Sequence, residues 1–330
     1  MIIKTFDNGW GPEYPVKQYE ITLLTPIMEQ FDADEIKTVV INNVWYNEEF
    51  HQTVLEYLRA NIVDRIVLVS MIDPAITHRW RYDEFDCEII EIGNYAGTYE
   101  IDFWALYMYS NFLCPNTINL FRIGLVDTAY MCLNRKPHWH RRKLYNQLEN
   151  LNLLDKGLVS MGSATGEPIR SVAAGETPPS LTPNSGNEQY GLPNDIVSLG
   201  NMSNWQRTFL NIVTETVYGI TANRFVSEKI FKPILGLRPF LVYDTDGAHF
   251  WLTHRGFEDY TRDFSDISDL DLRNPDNIAP FLAVLCKQPK TYWQKKLIDL
   301  NHKIMYNREQ FYRYVDKQRE LVNKGIICQI

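Results

Sequence analysis

Short apolar runs alternating with stretches of helical periodicity constrain this chain more than any other feature. Residues 38–41, 65–71 and 87–92 are runs rich in Ile and Val. Between the first two, residues 48–60 place Phe50, Val54, Leu55 and Leu58 at helical spacing. Residues 101–112 form a strongly apolar helix opened by Asp102. The rhythm returns with a strand over 128–133, its exit loop over 134–137, a helix over 138–151 and a strand over 157–161. A further run, 209–214, delivers Glu215 at its C-terminal end. Continuous apolar runs suit strands covered on both faces, and strands alternating with helices predict βαβ units and parallel sheets. The class is therefore α/β. In such sheets the loops after the strand C-termini carry the chemistry. Residues 1–34 show no readable pattern.

A chain of 330 residues is long for one core and suits two domains. The pattern divides it into an N-terminal domain, 1–127, and a second domain, 128–289. Residues 290–330 follow, with Trp293, Leu297, Leu300, Ile304, Phe311, Val315 and Val322 at intervals of three, four or seven. That spacing predicts one long amphipathic C-terminal helix, wide enough in its apolar stripe to brace both domains. Residues 162–200 are dense in Gly, Pro, Ser, Thr and Asn, and Tyr190 is their only aromatic. They read as a flexible insertion, either a solvated excursion or a lid.

The most informative stretch is 223–244. It reads as loop, short helix, turn and buried strand. Ser227 is a good N-cap, Ile230, Phe231, Ile234 and Leu235 make one apolar face, and Gly236 stops the helix. Pro233 falls inside and should kink or shorten it. Residues 240–243 are the strand. Glu228 and Lys229 lie in the first helical turn, where unpaired backbone amides already favour anions. A carboxylate there can accept two ribose hydroxyls, and an ammonium can hold a phosphate. A purely structural reading also exists, because Glu228 complements the helix dipole and forms an i, i+4 pair with Lys232.

Three other constellations could carry chemistry. Arg135, Lys136, His138, His140, Arg141, Arg142 and Lys143 lie on a strand exit and the following helix start, which suits a diphosphate, although one helix face must turn some of them to solvent. Asp244 and Asp246 are spaced to hold a divalent metal with a diphosphate, but beside Gly247 they read first as a turn. Asp73, Asp83, Glu84, Asp86, Glu100 and Asp102 supply carboxylates for a general base. Asp73 follows a strand, and Asp102 reads equally as a helix cap. No P-loop, dinucleotide fingerprint or nucleophile-elbow serine is present.

These residues resemble a known family. Arg224-Phe225-Val226-Ser227-Glu228-Lys229-Ile230, followed by Pro239-Phe240-Leu241-Val242, resembles the donor-site motif of the family 10 (α1,3/4) fucosyltransferases. The extension through Phe231-Lys232-Pro233-Ile234 and Gly236-Leu237-Arg238 looks like a group of phage-encoded, fucosyltransferase-like proteins. Leu133-Asn134-Arg135-Lys136-Pro137-His138, then His140-Arg141, and Glu215-Thr216 fit the same group. The likeness covers residues 128–265, interrupted by the insertion, and does not extend to the first 127 residues. It implies a GT-B architecture, two Rossmann-like domains facing a central cleft. It implies a nucleotide-diphosphate-sugar held by the second domain and no required metal or other cofactor. By position, Glu228 would bind the ribose and Lys229 the diphosphate. Arg135 or Arg141 would be a second phosphate clamp, and Glu215 would lie near the donor sugar or base. Asn134, Arg224 and Ser227 complete the donor set. Asp73, or Asp102, would be the base of an inverting transfer.

The expected function is thus sugar transfer from a nucleotide-diphosphate-sugar to a hydroxyl of a saccharide or of a hydroxylated base in phage DNA. A non-catalytic sugar-nucleotide or glycan-binding module is the alternative. No apolar run reaches bilayer-spanning length, and a signal peptide is not expected. The cysteines Cys87, Cys114, Cys132, Cys286 and Cys328 have neither metal nor redox spacing, so the expected setting is reducing and cytoplasmic, the host cytoplasm for a phage protein. The net charge of −8 argues against a nucleic-acid coat but leaves room for a local basic patch.

Overall fold

The computed structural model describes residues 1–8, 15–33, 35–43, 47–70, 79–93, 99–111, 123–134, 136–163, 169–170, 199, 202–216, 218–219 and 226–324. The chain forms two compact units. Unit 1 is Met1–Tyr107 with Tyr314–Ile330, and unit 2 is Met108–Arg313. Apart from residues 162, 163, 169, 170 and 199, the 162–200 insertion lies outside the described residues.

Unit 1 carries a parallel sheet of β1 (Ile2–Asn8), β2 (Thr38–Asn43), β3 (Arg65–Ser70), β4 (Glu88–Gly93) and β5 (Tyr99–Glu100), in that spatial order. Every residue of β2 and β3 is buried, as suits their apolar centres, 39–41 and 66–69. Helix α1 (Pro15–Asp32) joins β1 to β2, and α2 (Glu48–Ala60) joins β2 to β3. Asn47 caps α2 by accepting from the Phe50 amide at 3.1 Å. The helix buries Val54, Leu55 and Leu58 against Val39, Ile41, Ile66 and Leu68. Each such side chain contributes about 1.5–3 kcal/mol when fully buried. Helix α3 (Phe103–Asn111) follows β5.

Unit 2 is built on β6 (Thr128–Asn134), β7 (Leu158–Met161), β8 (Thr208–Val213) and β9 (Phe240–Val242), all parallel, in the order β7-β6-β8-β9. Its helices are α4 (Trp139–Asn150), α5 (Met202–Arg207), α6 (Glu228–Leu235), α7 (Asp246–His254), α8 (Ile278–Leu285) and α9 (Lys290–Asp299). Helix α10 (Asn301–Lys324) gives its residues through Arg313 to unit 2 and those from Tyr314 onward to unit 1. The chain lays β7 on one side of β6 and then returns to lay β8 on the other. That reversal opens a crevice between the C-terminal ends of β6 and β8, the switch point of an open α/β sheet. Unit 1 keeps its strands in chain order, so among the described residues only unit 2 has such a crevice.

The α/β class and two parallel sheets agree with the sequence, and all seven apolar runs named above are strands. Three local features differ from expectation. The C-terminal segment is two helices, not one, meeting at Leu300. Leu300 keeps near-helical angles (φ −86°, ψ −3°), so the apolar stripe stays in phase across the break. The turn expected at Asp244–Gly247 is cut short, because Thr245 stands at the N-cap and α7 begins at Asp246. Gly236 does not end α6 by a left-handed conformation. Its φ is −75°, and Leu237 takes the left-handed position at φ 55°. The Arg238 amide reaches Pro233 O at 3.0 Å and the Leu237 amide reaches Ile234 O at 3.3 Å, a Schellman closure. Glycine is required at 236 for another reason: a Cβ there would collide with the Trp205 indole.

Candidate functional site

The switch point brings together the ends of β6 and β8 and the start of α6. Asn134, the last residue of β6, is buried, and the Thr214 hydroxyl beyond β8 donates to its Oδ1. Its amide group donates to Cys132 Sγ at 3.3 Å. This ties the two strand ends that form the crevice.

Glu215 follows Thr214 and is 1% exposed. Its Oε1 accepts from the Ser227 amide at 3.1 Å and its Oε2 from the Ser227 hydroxyl at 2.5 Å. Burial pushes its carboxyl above the usual range, although nearby Lys229 and the Ser227 hydrogen bonds oppose this. Its backbone carbonyl also accepts, from His140 Nε2 at 2.8 Å and Arg141 Nη2 at 2.9 Å. Arg141 Nη2 reaches Thr214 O at 3.1 Å as well, and Nη1 reaches Lys136 O at 3.3 Å. A buried guanidinium from α4 thus braces the exit of β8, and a buried carboxylate from that exit holds the start of α6.

Ser227 caps α6 as expected, its Oγ accepting from the Lys229 amide at 3.4 Å. Lys229 Nζ lies 3.0 Å from Ser227 Oγ, 3.0 Å from Thr216 Oγ1 and 2.9 Å from Glu228 Oε1. The Glu228 side chain is 6% exposed and that of Lys229 26%. Burial pushes Glu228 up, but the Lys229 and Lys232 ammonium groups and the hydrogen bonds outweigh it, and the carboxylate stays below its ordinary range. The first turn of α6 therefore presents an ionised carboxylate and a partly exposed ammonium at the strand ends.

The basic cluster divides as a helix must. His140 and Arg141 are buried, while Lys136, Arg142 and Lys143 are exposed, Lys143 pairing with Asp276 at 2.6 Å. The His138 and His140 rings lie parallel at 6.0 Å, and His140 stacks on Tyr218 at 5.2 Å. Burial, then the charges of Arg141, His140, Lys136 and Lys229, hold His138 down at about 4. Asp244 accepts from the Gly219 amide at 3.0 Å. Among the described residues no group of His, Cys, Asp or Glu is arranged to hold a metal ion.

Asn134, Arg141, Glu215, Ser227, Glu228 and Lys229 are thus brought together. Arg135, Arg224 and Asp73 lie outside the described residues. Asp102 belongs to unit 1, where its Oδ1 accepts from the Ala105 amide at 2.9 Å and its Oδ2 from the Tyr314 hydroxyl at 3.0 Å. It is 1% exposed and caps α3. Thr214 and Tyr218 carry no motif in the sequence, and Thr216 enters only beside Glu215 in the family resemblance. The only other signal for them was their position directly after a strand. Among the described residues no helix is long and apolar enough to cross a membrane. No protein-family model, curated protein or solved structure matches the chain.

Proposed function

We propose that this chain is a glycosyltransferase that takes its sugar from a nucleotide-diphosphate-sugar held at the switch-point edge of unit 2. The observation that carries the reading is the Lys229 ammonium. It stands on the first turn of α6, partly exposed, beside the ionised Glu228 and at the crevice where an open parallel sheet receives phosphates. A diphosphate would take the place of the exposed Thr216 hydroxyl among the partners of Lys229, and Glu228 would accept from the ribose hydroxyls. Arg141, braced on the carbonyls of Thr214 and Glu215, supports the site from beneath.

The reaction class rests on the fucosyltransferase-like motif and is an inverting, metal-independent transfer. The acceptor hydroxyl gives its proton to a carboxylate. Its oxygen bonds to the anomeric carbon as the bond from that carbon to the diphosphate breaks, and Lys229 stabilises the departing charge. Asp73 is the proposed base. The acceptor is a saccharide or a hydroxylated base in DNA.

The test offers UDP-, GDP- and ADP-sugars and follows both donor binding and nucleoside diphosphate release. Glu228→Ala and Lys229→Ala should each weaken donor binding about tenfold or more, since hydrogen bonds to charged groups contribute about 1.5–3 kcal/mol. Full donor affinity in both variants would overturn the site. Tight donor binding without turnover on saccharide or modified-DNA acceptors would leave a binding module in place of an enzyme.

A further inference from the structure

Among the described residues near the switch point, the most exposed large apolar side chain is Trp139, 63% exposed at the first position of α4. Trp139 is not a loose surface residue. Its ring stands edge-on to Tyr218 at 4.9 Å and 80°, and edge-on to His140 at 5.7 Å. Tyr218 stacks on His140 and leans on Tyr243 at 5.8 Å. The exits of β6, β8 and β9 therefore each contribute to one aromatic wall beside the crevice, with Trp139 as its open end. The buried Tyr243 hydroxyl behind this wall has no hydrogen-bond partner among the described residues. Lys229 is tied to this wall through the β8 exit: its Nζ donates to Thr216 Oγ1 at 3.0 Å, and the carbonyl of the adjoining Glu215 accepts from His140 Nε2 at 2.8 Å. The His138 and His140 rings are held neutral by burial and by the surrounding cations, so the wall presents aromatic faces and not a second cationic patch.

We propose that Trp139 is the nucleobase platform of the site: the base of a nucleoside diphosphate stacks on the exposed Trp139 face while its phosphates lie against Lys229. The inference rests on the donor-binding reading above and extends it from the phosphates to the base. A nucleoside diphosphate needs a polar, cation-bearing end and an aromatic end a few ångströms apart. Here the same edge of one sheet supplies both. The edge-on contacts to Tyr218 and His140 fix the indole plane, so stacking needs little further ordering. Stacking alone is tolerant of base identity, because every base has a π face.

The experiment compares nucleoside diphosphates with inorganic pyrophosphate, which has the charge and lacks the base. Binding of UDP, GDP, ADP and pyrophosphate is measured by calorimetry on the full chain and on Trp139→Ala, Trp139→Phe and Lys229→Ala. Stacking on an aromatic side chain predicts that Trp139→Ala weakens the preferred nucleoside diphosphate about tenfold or more and that Trp139→Phe recovers most of the loss. Pyrophosphate should bind Trp139→Ala as it binds the unaltered chain, and should lose affinity with Lys229→Ala. Unchanged nucleotide affinity in Trp139→Ala, with Lys229→Ala impaired, overturns the platform and leaves the phosphate site standing. An equal loss of nucleotide and pyrophosphate in Trp139→Ala also overturns it, because the indole would then act through the fold. If the unaltered chain binds none of the four ligands, the donor site itself is refuted and the platform with it.

Discussion

Glu215 shows that a residue's type is legible in the sequence while its hydrogen-bond partners are not. In sequence it is a carboxylate at a strand exit, suited to touching a donor. In the structure both carboxyl oxygens accept from Ser227, and its carbonyl is held by His140 and Arg141. Removing that side chain leaves the Ser227 amide and hydroxyl without a buried acceptor. Glu215→Ala should destabilise unit 2 by about 1–3 kcal/mol in urea unfolding, whereas Glu215→Gln, which keeps an acceptor, should retain most of the stability. The pH dependence separates the two further. Burial raises the Glu215 carboxyl above its ordinary 4.5, so the folded state holds its proton more tightly than the unfolded state does. That contribution is full below 4.5 and is lost as pH rises through the raised value. The Gln variant should therefore lose less stability than the unaltered chain as pH climbs from 4.5. A steeper loss in the variant would contradict the buried-acid account. Arg141 teaches the same lesson. Its charge and its place after β6 were visible, but not that carbonyls of Lys136, Thr214 and Glu215 would surround it.

Elements were more legible than residues, for a physical reason. Strands buried on both faces are apolar over most of their length, so 38–41, 65–71 and 209–214 announced β2, β3 and β8. The half-exposed edge strand β1 has no such run, since its faces are only partly covered. Its burial alternates weakly, and its sequence carries no strand signal. Helix α1 holds Pro26 and no acidic residue in its first turn, so it lacked both a start signal and an unbroken pattern. The end of α6 does fall at Gly236, but not because glycine takes the left-handed conformation there. Gly236 is fixed by the Trp205 ring, itself anchored by its Nε1 donating to Leu199 O at 2.6 Å. Gly236→Ala should thus act as overpacking, not as a lost left-handed residue. We expect a loss of about 1–3 kcal/mol, largely restored when Trp205 is shortened to Leu in the same chain. An additive double variant would mean that the two positions do not share one space.

At the scale of the molecule, the sequence conveyed two parallel sheets but not the order of their strands, because strand order is a long-range property that local periodicity does not encode. Yet the order decides where a ligand site can form. The reversal β7-β6-β8-β9 opens a crevice in unit 2, while unit 1 runs β1 to β5 without reversal. The other long-range property is the return of the chain end to unit 1. Beyond Arg313, α10 belongs with residues far away in sequence. Tyr314 donates to Asp102 Oδ2 at 3.0 Å, Gln318 Oε1 accepts from the Asp102 amide at 2.9 Å, and Val322 O accepts from Gln30 at 3.3 Å. The N-cap of α3 is thus completed by the C-terminal end of the chain. Tyr314→Phe removes a hydroxyl bonded to a buried carboxylate, a loss of about 1.5–3 kcal/mol. Because the hydroxyl and the carboxylate both belong to unit 1, the loss should appear there. Native-state hydrogen exchange should show the amides of 38–43 and 65–70 opening about tenfold or more faster, with 128–134 and 208–213 unchanged. An equal acceleration in both sheets would mean that the two units open as one cooperative body.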